Sequence, residues 1–572
     1  MRARIALLLL GSLSCVCSTD CFLSANLRGL RCRSSNNICM TNTIESTAVA
    51  ESKSILRNPN CGASNSQHVR CVPAARSTID LLVHGDLSNL LEHYARNSDV
   101  HKTKLCGREF YLISDPRLVR EICVEQAGTF RNREEQQGCP MKAVGLTVAV
   151  DKVWEEYRAV LNPSFFKRDK IEEHSEMFVP MAMAMIEDMK KKDASVDLIA
   201  FCVALSQSIL LRVLFSEEIF SWRQLRDNIP PRNPILKLAE HAMAWMELLQ
   251  KQLRMIFLTR GVFEFIKAFT NRKGQLKFLR SRSRQAIRDF RVVKHVSSLV
   301  LRLLKSLSPG KKQVGVEIPF LPIVERRRSE MREGKFGHDD VLTRLIAAEI
   351  PTRVEEGAGE GLRRLSDEEI CLILRDIMTA GVGSTGEVIA STVWEIIRSK
   401  EVREKVDAEL ELALGSRRTP RYQDLTQLTY LTSCVKEVLR KNAFASLVFR
   451  LASSDTTLTR SSSSRSIPVK KGSVMIMSPQ VLGQDEDSWF NPSEFRPERF
   501  SSAAGGGDRP EEPADAFSFI PFGAGPRYCL GAQTAMAEVV LVTAAMLRNA
   551  KIRAEEGMQG AGEEDVLLVR VG

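Results

Sequence analysis

Ten residues near the C-terminus constrain this chain more than any other stretch: Phe522-Gly-Ala-Gly-Pro-Arg-Tyr-Cys-Leu-Gly531. The residues that follow, Ala-Gln-Thr-Ala-Met-Ala-Glu-Val-Val-Leu, are mostly good helix formers, so Cys529 sits at or just before a helix N-terminus. The first turn of a helix has N–H groups without partners and a partial positive charge, which favours a thiolate and hence a metal ligand. Gly525 and Gly531 let the main chain approach closely, and amides of a glycine-rich turn can point at the sulfur. Arg527 puts a cation two residues from the cysteine, and Phe522 supplies an apolar wall that limits water near it.

The pattern F-x-x-G-x-R-x-C-x-G is met at every fixed position. It resembles the haem-binding loop of the cytochromes P450, in which the cysteine is the axial thiolate of haem iron. Further segments agree in chain order. Glu437-Val-Leu-Arg440 lies in a helical run from Leu428 to Lys441, and its i,i+3 spacing puts acid and base on one face. Phe495-Arg-Pro-Glu-Arg-Phe500 adds Arg499, a second cation for Glu437, and a buried carboxylate between two guanidiniums is a clamp that is costly to break. These two segments resemble the ExxR and PERF elements of that family. Trp154-Glu-Glu-Tyr-Arg158 resembles its WxxxR helix, and Arg450 lies in its post-ExxR strand pattern. The resemblance covers about residues 80 to 555 and implies the cytochrome P450 fold, mainly α with a minor β component. It also implies Cys529 as the iron ligand, with Arg158, Arg527, Trp154 and Arg450 around the haem propionates.

One segment departs from the family pattern. Ser366-Asp-Glu-Glu369 is a capping box that opens a helix with apolar residues at Ile370, Ile373, Leu374 and Ile377. The helix runs into Thr379-Ala-Gly-Val-Gly-Ser-Thr-Gly386, where the family has A/G-G-x-[acid]-T-[T/S]. Gly383 stands at the acid and Ser384 at the usual threonine, while Thr385 matches. The resemblance places Ser384 and Thr385 at the oxygen pocket, where acid and hydroxyl deliver protons. The family's Pro-Pro after ExxR is replaced by Asn442-Ala-Phe444. The same glycines fit G-x-G-x-x-G, but that dinucleotide signature needs a preceding strand, and here a capped helix precedes it.

The resemblance implies a haem-thiolate monooxygenase that inserts one atom of O2 into an apolar small molecule, with haem b as cofactor. No flavin or nicotinamide segment is evident, so electrons from NAD(P)H would arrive through a separate donor, either ferredoxin or cytochrome P450 reductase. Gly383 motivates a second reading, an isomerase or dehydratase that acts on a hydroperoxide without external electrons. A non-catalytic haem-binding protein is a third. Gly85-Asp-Leu-Ser-Asn-Leu90 and the loop from Pro521 to Arg527 resemble the carotenoid-ring hydroxylase branch of plants and algae. A metal-hydrolase reading fails because all eight histidines are isolated.

Along the body, Asp80 to Ala95 has helical spacing, Phe110-Tyr-Leu-Ile113 is a strand, and long amphipathic stretches fill 154–215 and 235–305. Polar interruptions at 308–315, 350–364, 459–466 and 501–513 are expected to be loops, and Ile467 to Ser478 a β-hairpin about Lys-Lys-Gly.

The net charge of +11 raises the question of nucleic acid, but its distribution removes it. Residues 1–76 hold nine Lys/Arg against three acids, and the remaining 496 hold 72 against 67, with no basic stripe interleaved with aromatics. The excess lies in a leader: Met1 to Arg4 is positive, Ile5 to Leu10 apolar, and small residues run to Ser18, the order of a signal peptide. Ser/Thr- and Arg-rich, acid-poor sequence to about residue 76 is transit-like, so 1–76 reads as a targeting leader and 77–572 as the P450 domain. The pair resembles the bipartite leaders of algal secondary plastids, with the endoplasmic reticulum as the alternative address; peripheral membrane association is compatible with both. The stretch Ile5 to Val16, taken as the longest near-continuous apolar run, is too short to cross a bilayer. The seven body cysteines are scattered singly, so no disulfide framework is expected.

Overall fold

The first element is a strand, Val69–Val72 (β1), which pairs in parallel with Val100–Leu105 (β2). The structure, a computed structural model, describes residues 69–72, 99–105, 108–133, 145–190, 196–216, 320–335, 337, 339–351, 361–445, 447–459, 466–500, 513, 515–554 and 568–571. β1 lies inside the stretch 1–76 read as leader and pairs with β2 of the body. Val-Arg-Cys-Val is a short β-prone run in a Ser/Arg-rich stretch, and its partner is some thirty residues downstream, so local pattern does not reveal it. The helix expected from Asp80 to Ala95, the amphipathic stretch 235–305 and the loops at 308–315 and 501–513 lie outside the described residues, apart from Pro513.

β2 turns into Arg108–Ile113 (β3) in antiparallel register, Val100 facing Ile113. Asp115 caps the short helix Pro116–Arg120 (α1), accepting from Arg117 N–H at 2.9 Å. Asp151–Phe165 (α2), Arg168–Lys190 (α3), Val196–Asp197 (β4) and Leu198–Phe215 (α4) divide the stretch read as one amphipathic run. Asp197 caps α4 through the Ile199 and Ala200 N–H groups. α4, not the leader, holds the apolar helix that sequence inspection passed over: its 18 residues have mean hydropathy 2.1, enough by length and composition to cross a membrane. Here it is a core helix, 72% of its window buried.

Leu321–Arg332 (α5), Val341–Ala347 (α6), Glu349–Pro351 (β5) and Leu362–Arg364 (β6) lead to the central helix, Asp367–Arg398 (α7). β5 and β6 pair with each other, so the interruption read as a loop at 350–364 is flanked by a small hairpin. α7 starts at the capping box expected from sequence: Glu369 N–H donates to Ser366 Oγ and Ser366 N–H to the Glu369 carboxylate. It continues unbroken through all the glycines of the G-x-G-x-x-G run, which removes the dinucleotide reading. Gly386 lets α7 and α4 approach: a Cβ there would lie 2.5 Å from Val203 Cα.

Lys400–Leu414 (α8) and Thr429–Lys441 (α9) follow, then Val448–Leu451 (β7), Thr456–Thr459 (β8), Ser466–Val469 (β9) and Val474–Met477 (β10). The hairpin expected from Ile467 to Ser478 does not form. β9 pairs with β8, whereas β10 pairs in parallel with β3 and antiparallel with β7. The four residues of β10 are all buried, as suits the interior of a sheet of order β1-β2-β3-β10-β7. Pro479–Gly483 (α10) precedes the cysteine loop and Ala532–Asn549 (α11); Ile552–Ala554 (β11) and Leu568–Val571 (β12) join β4 in a small sheet. α11 packs against α3 and α7. The architecture is helical with a minor β part, and Cys123, Cys202, Cys371 and Cys434 are buried free thiols within it.

Candidate active site

The cysteine loop is a turn folded onto its own carbonyls. Cys529 N–H donates to Phe522 O at 3.0 Å and Tyr528 N–H to Gly525 O at 2.9 Å. Gly525 has φ +69, and a Cβ on it would lie 1.8 Å from Cys123 O, so no other residue fits there. Gly531 differs from expectation. Its φ is −88 and a Cβ would meet nothing, so the protein backbone does not demand glycine; its contribution is an N–H. The Gly531 and Ala532 N–H groups, at the start of α11, favour the anionic form of the Cys529 sulfur, the effect inferred from sequence. Phe522 is half-buried with its ring 6.2 Å from that of Tyr528, and packs on the core beneath α11.

Burial pushes the Cys529 thiol up, and the Gly531 N–H, Arg158, Arg133 and the Ala532 N–H pull it back without cancelling the rise. Cys529 is nevertheless exposed as a residue.

Four guanidiniums gather at this loop: Arg133, Arg158, Arg450 and Arg527. Arg527 is buried, donates to Arg131 O at 3.0 Å, Ala149 O at 2.6 Å and Asn132 Oδ1 at 3.3 Å, and lies 4.4 Å from the Trp154 ring centre. Arg158 donates to Tyr528 O at 3.1 Å and lies 5.8 Å from the same ring. Arg450 donates to Phe449 O and, at 3.0 Å, to Ala524 O. Burial and the neighbouring Arg450 lower the Arg133 pKa to about 10; burial, Arg133 and Arg450 lower that of Arg527 to about 9. None of the four forms an ion pair with a carboxylate among the described residues. The cations acting on the thiol are Arg158 and Arg133.

The clamp forms as expected and is fully buried. Arg440 Nε and Nη2 donate to the two Glu437 oxygens, each at 2.8 Å, and Arg499 Nε donates to Oε1 at 3.2 Å. The Arg496 N–H adds a bond at 3.0 Å, and Arg440 also holds Gly483 O and Pro492 O.

Opposite in role is the middle of α7. This helix is largely buried, yet Ala380 and Glu387 are exposed and Gly381, Gly383 and Ser384 are partly so. Ser384 Oγ donates to Ala380 O at 2.7 Å, while Thr385 is buried, so the two hydroxyls face different surroundings. Leu530 of the cysteine loop belongs to the same apolar cluster as Ile377, Met378 and Val382 of α7.

The family profile of cytochrome P450 matches residues 79–566. The chain belongs to the cytochrome P450 family. Cytochrome P450 3A16 of Mus musculus is 20% identical over 444 residues, 77% of this chain and 76% of that protein. Cytochrome P450 3A5 of Homo sapiens is 23% identical over 444 residues, covering 76% and 75%. The steroid 17-alpha-hydroxylase/17,20 lyase of Felis catus is 30% identical over 217 residues, 37% of this chain and 41% of its own length.

As a P450, the protein is a monooxygenase that uses haem and takes electrons from a separate redox partner. Its residues fit the cofactor. A cysteine sulfur beside two backbone N–H groups offers the iron ligand, and four guanidiniums without an ion-paired carboxylate among the described residues offer the counter-charge that two propionates require. Among the described residues no cluster of three or more His, Cys, Asp or Glu could hold a metal ion, in keeping with a single protein ligand. Sequence reading passed over Arg133, which has no motif around it. It also passed over Glu387, four residues beyond the glycine that replaces the family acid.

Proposed function

We propose that this P450 oxygenates an apolar lipid of isoprenoid type, a carotenoid being the first candidate, at a plastid membrane surface with ferredoxin as electron donor. The single observation carrying the haem-thiolate chemistry is an exposed Cys529 at the start of α11 whose anionic form is favoured by the Gly531 and Ala532 amides and by Arg158 and Arg133. Bound haem, taken as haem b, supplies the redox chemistry of O2 cleavage, which an electron-donating thiolate favours. The Gly531 and Ala532 amides favour the anionic form of the sulfur that iron would bind, and Arg133, Arg158, Arg450 and Arg527 would hold the propionates, with Trp154 fixing Arg527. Small residues on the open face of α7, Ala380, Gly381 and Gly383, leave room for a bulky apolar substrate, and Ser384 keeps a hydroxyl there.

Support for the substrate class comes from the steroid-acting relative and from the resemblance of Gly85 to Leu90, which lies outside the described residues, to carotenoid hydroxylases. Support for the address comes from the signal-like and transit-like order of the leader. The deciding experiment is the reduced, CO-bound absorption spectrum of wild type and Cys529→Ala. A thiolate-type Soret band lost in the variant is expected; a histidine-type band in wild type overturns the reading. Difference spectra with carotenoids, sterols and fatty acids then assign the substrate, and turnover of a hydroperoxide without electrons would replace oxygenation by isomerase or dehydratase chemistry.

A further inference from the structure

Oxygenation consumes protons as well as electrons: R–H + O2 + 2e− + 2H+ gives R–OH + H2O. The O–O and C–H bonds break, a C–O bond forms, the redox partner supplies the electrons, and both protons must come from solvent. Along α7 the position at which the family carries an acid is Gly383, which can deliver nothing. Between Asp376 and Glu395 the helix has one titratable side chain, Glu387. On a helix of 3.6 residues per turn, residue 387 falls about 40° from residue 383 and about 60° from residue 384, on the strip between them. Helical side chains lean toward the N-terminus, so Glu387 extends back over the preceding turn. The structure places Glu387 Oε1 3.9 Å from where a Cβ on Gly383 would be, within the reach of an aspartate at that position.

We propose that Glu387 is the relay acid of this enzyme, its carboxyl reaching back beside Gly383 to pass protons from solvent to Ser384 Oγ and the oxygen-binding recess. Three observations support it. Glu387 has no hydrogen bond or ion pair among the described residues, so its carboxyl is not committed to holding the fold together. It is exposed on an otherwise buried stretch of helix, beside the open face formed by Ala380, Gly383 and Ser384. Although Glu387 is exposed, crowding by the protein around its carboxyl, with no charged neighbour contributing, raises its pKa above the ordinary glutamate value, so it keeps a proton to give more readily than a fully solvated carboxylate. Ser384 spends its own proton on Ala380 O, which leaves its oxygen free to accept one from Glu387 directly or through water.

The inference rests on the monooxygenase reading, and its test separates the two. The full-length holoenzyme is compared as wild type, Glu387→Gln and the double variant Gly383→Asp/Glu387→Gln. Expected for Glu387→Gln are an unchanged CO spectrum, an unchanged substrate-induced spectral shift and KM, a kcat lower by about tenfold or more, and a larger solvent deuterium isotope effect. The double variant is expected to recover kcat and isotope effect to within a few-fold, which a merely structural role for Glu387 would not allow. Infrared pH titration of the resting proteins should show a carboxyl band in wild type that Glu387→Gln lacks, with its midpoint above the ordinary glutamate value. A normal CO band with unchanged kcat and isotope effect in Glu387→Gln overturns the relay alone. A wild type without a thiolate-type CO band overturns the haem-thiolate reading and the relay with it.

Discussion

Two arginine clusters in this protein differ in how their charge is met. At the clamp, Arg440 and Arg499 share the Glu437 carboxylate, which leaves a net charge of +1, and all three side chains are fully buried. At the cysteine loop, Arg133, Arg158, Arg450 and Arg527 donate, among the described residues, to neutral oxygens and not to a carboxylate, and burial lowers the pKa of each. Buried guanidiniums of the first kind tie elements together: the clamp joins α9 to the segment from Gly483 to Arg499. Those of the second kind are satisfied as hydrogen-bond donors but not as charges, which is the condition of a site prepared for an anion. The distinction separates fold from cofactor binding without reference to sequence motifs.

The sharpest break of that comparison is Glu437→Ala. It leaves two fully buried cations unpaired and should cost about 3–5 kcal/mol, read as loss of cooperative unfolding or of soluble protein in denaturant titrations. Arg158→Ala should act differently. The haem-free body keeps its melting temperature, while haem titration shows affinity weakened by the loss of one charge-assisted bond, about 1.5–3 kcal/mol.

Glu538 on α11 tests a buried charge that belongs to neither cluster. Burial raises its pKa to about 8, offset only by a hydrogen bond with Ser206, and its Oε1 has no hydrogen-bond partner. The folded state therefore keeps a proton that the unfolded chain releases near the ordinary glutamate pKa, so stability falls as pH rises from that value toward 8. Glu538→Gln should remove this fall, gaining on the order of 1–3 kcal/mol over wild type at pH 8 and progressively less toward pH 5 in denaturant unfolding. The smallest effect expected is that of Arg133→Gln. Removing one unbalanced cation should stabilise the haem-free protein by about 0.5–2 kcal/mol while weakening haem retention. Equal signs for the two measurements would place Arg133 with the clamp residues instead.

Much of the site was legible because its chemistry is local. A thiolate needs N–H groups from the next helix turn, and Cys529 and Gly531 are two residues apart; Glu437 and Arg440 share a helix face by spacing alone. The capping box at Ser366 is a four-residue event and forms as read. The misreadings are non-local. Ile467 to Ser478 has the turn chemistry of a hairpin, yet β10 gains more by entering the sheet between β3 and β7, where all four of its side chains are buried. β1 needed a partner that no window around Val69 contains. Arg133, almost 400 residues from Cys529 along the chain, was passed over although it acts on the thiol.

The sequence by itself determined the helical body, the ligating cysteine and the clamp, because each depends on spacings of a few residues or on a motif read in order. Only the tertiary structure decided which cations face the thiol, which strands share a sheet, and that Glu387 stands over Gly383. Those outcomes depend on the direction a side chain takes once its neighbours are packed, and burial, not sequence distance, sets that direction.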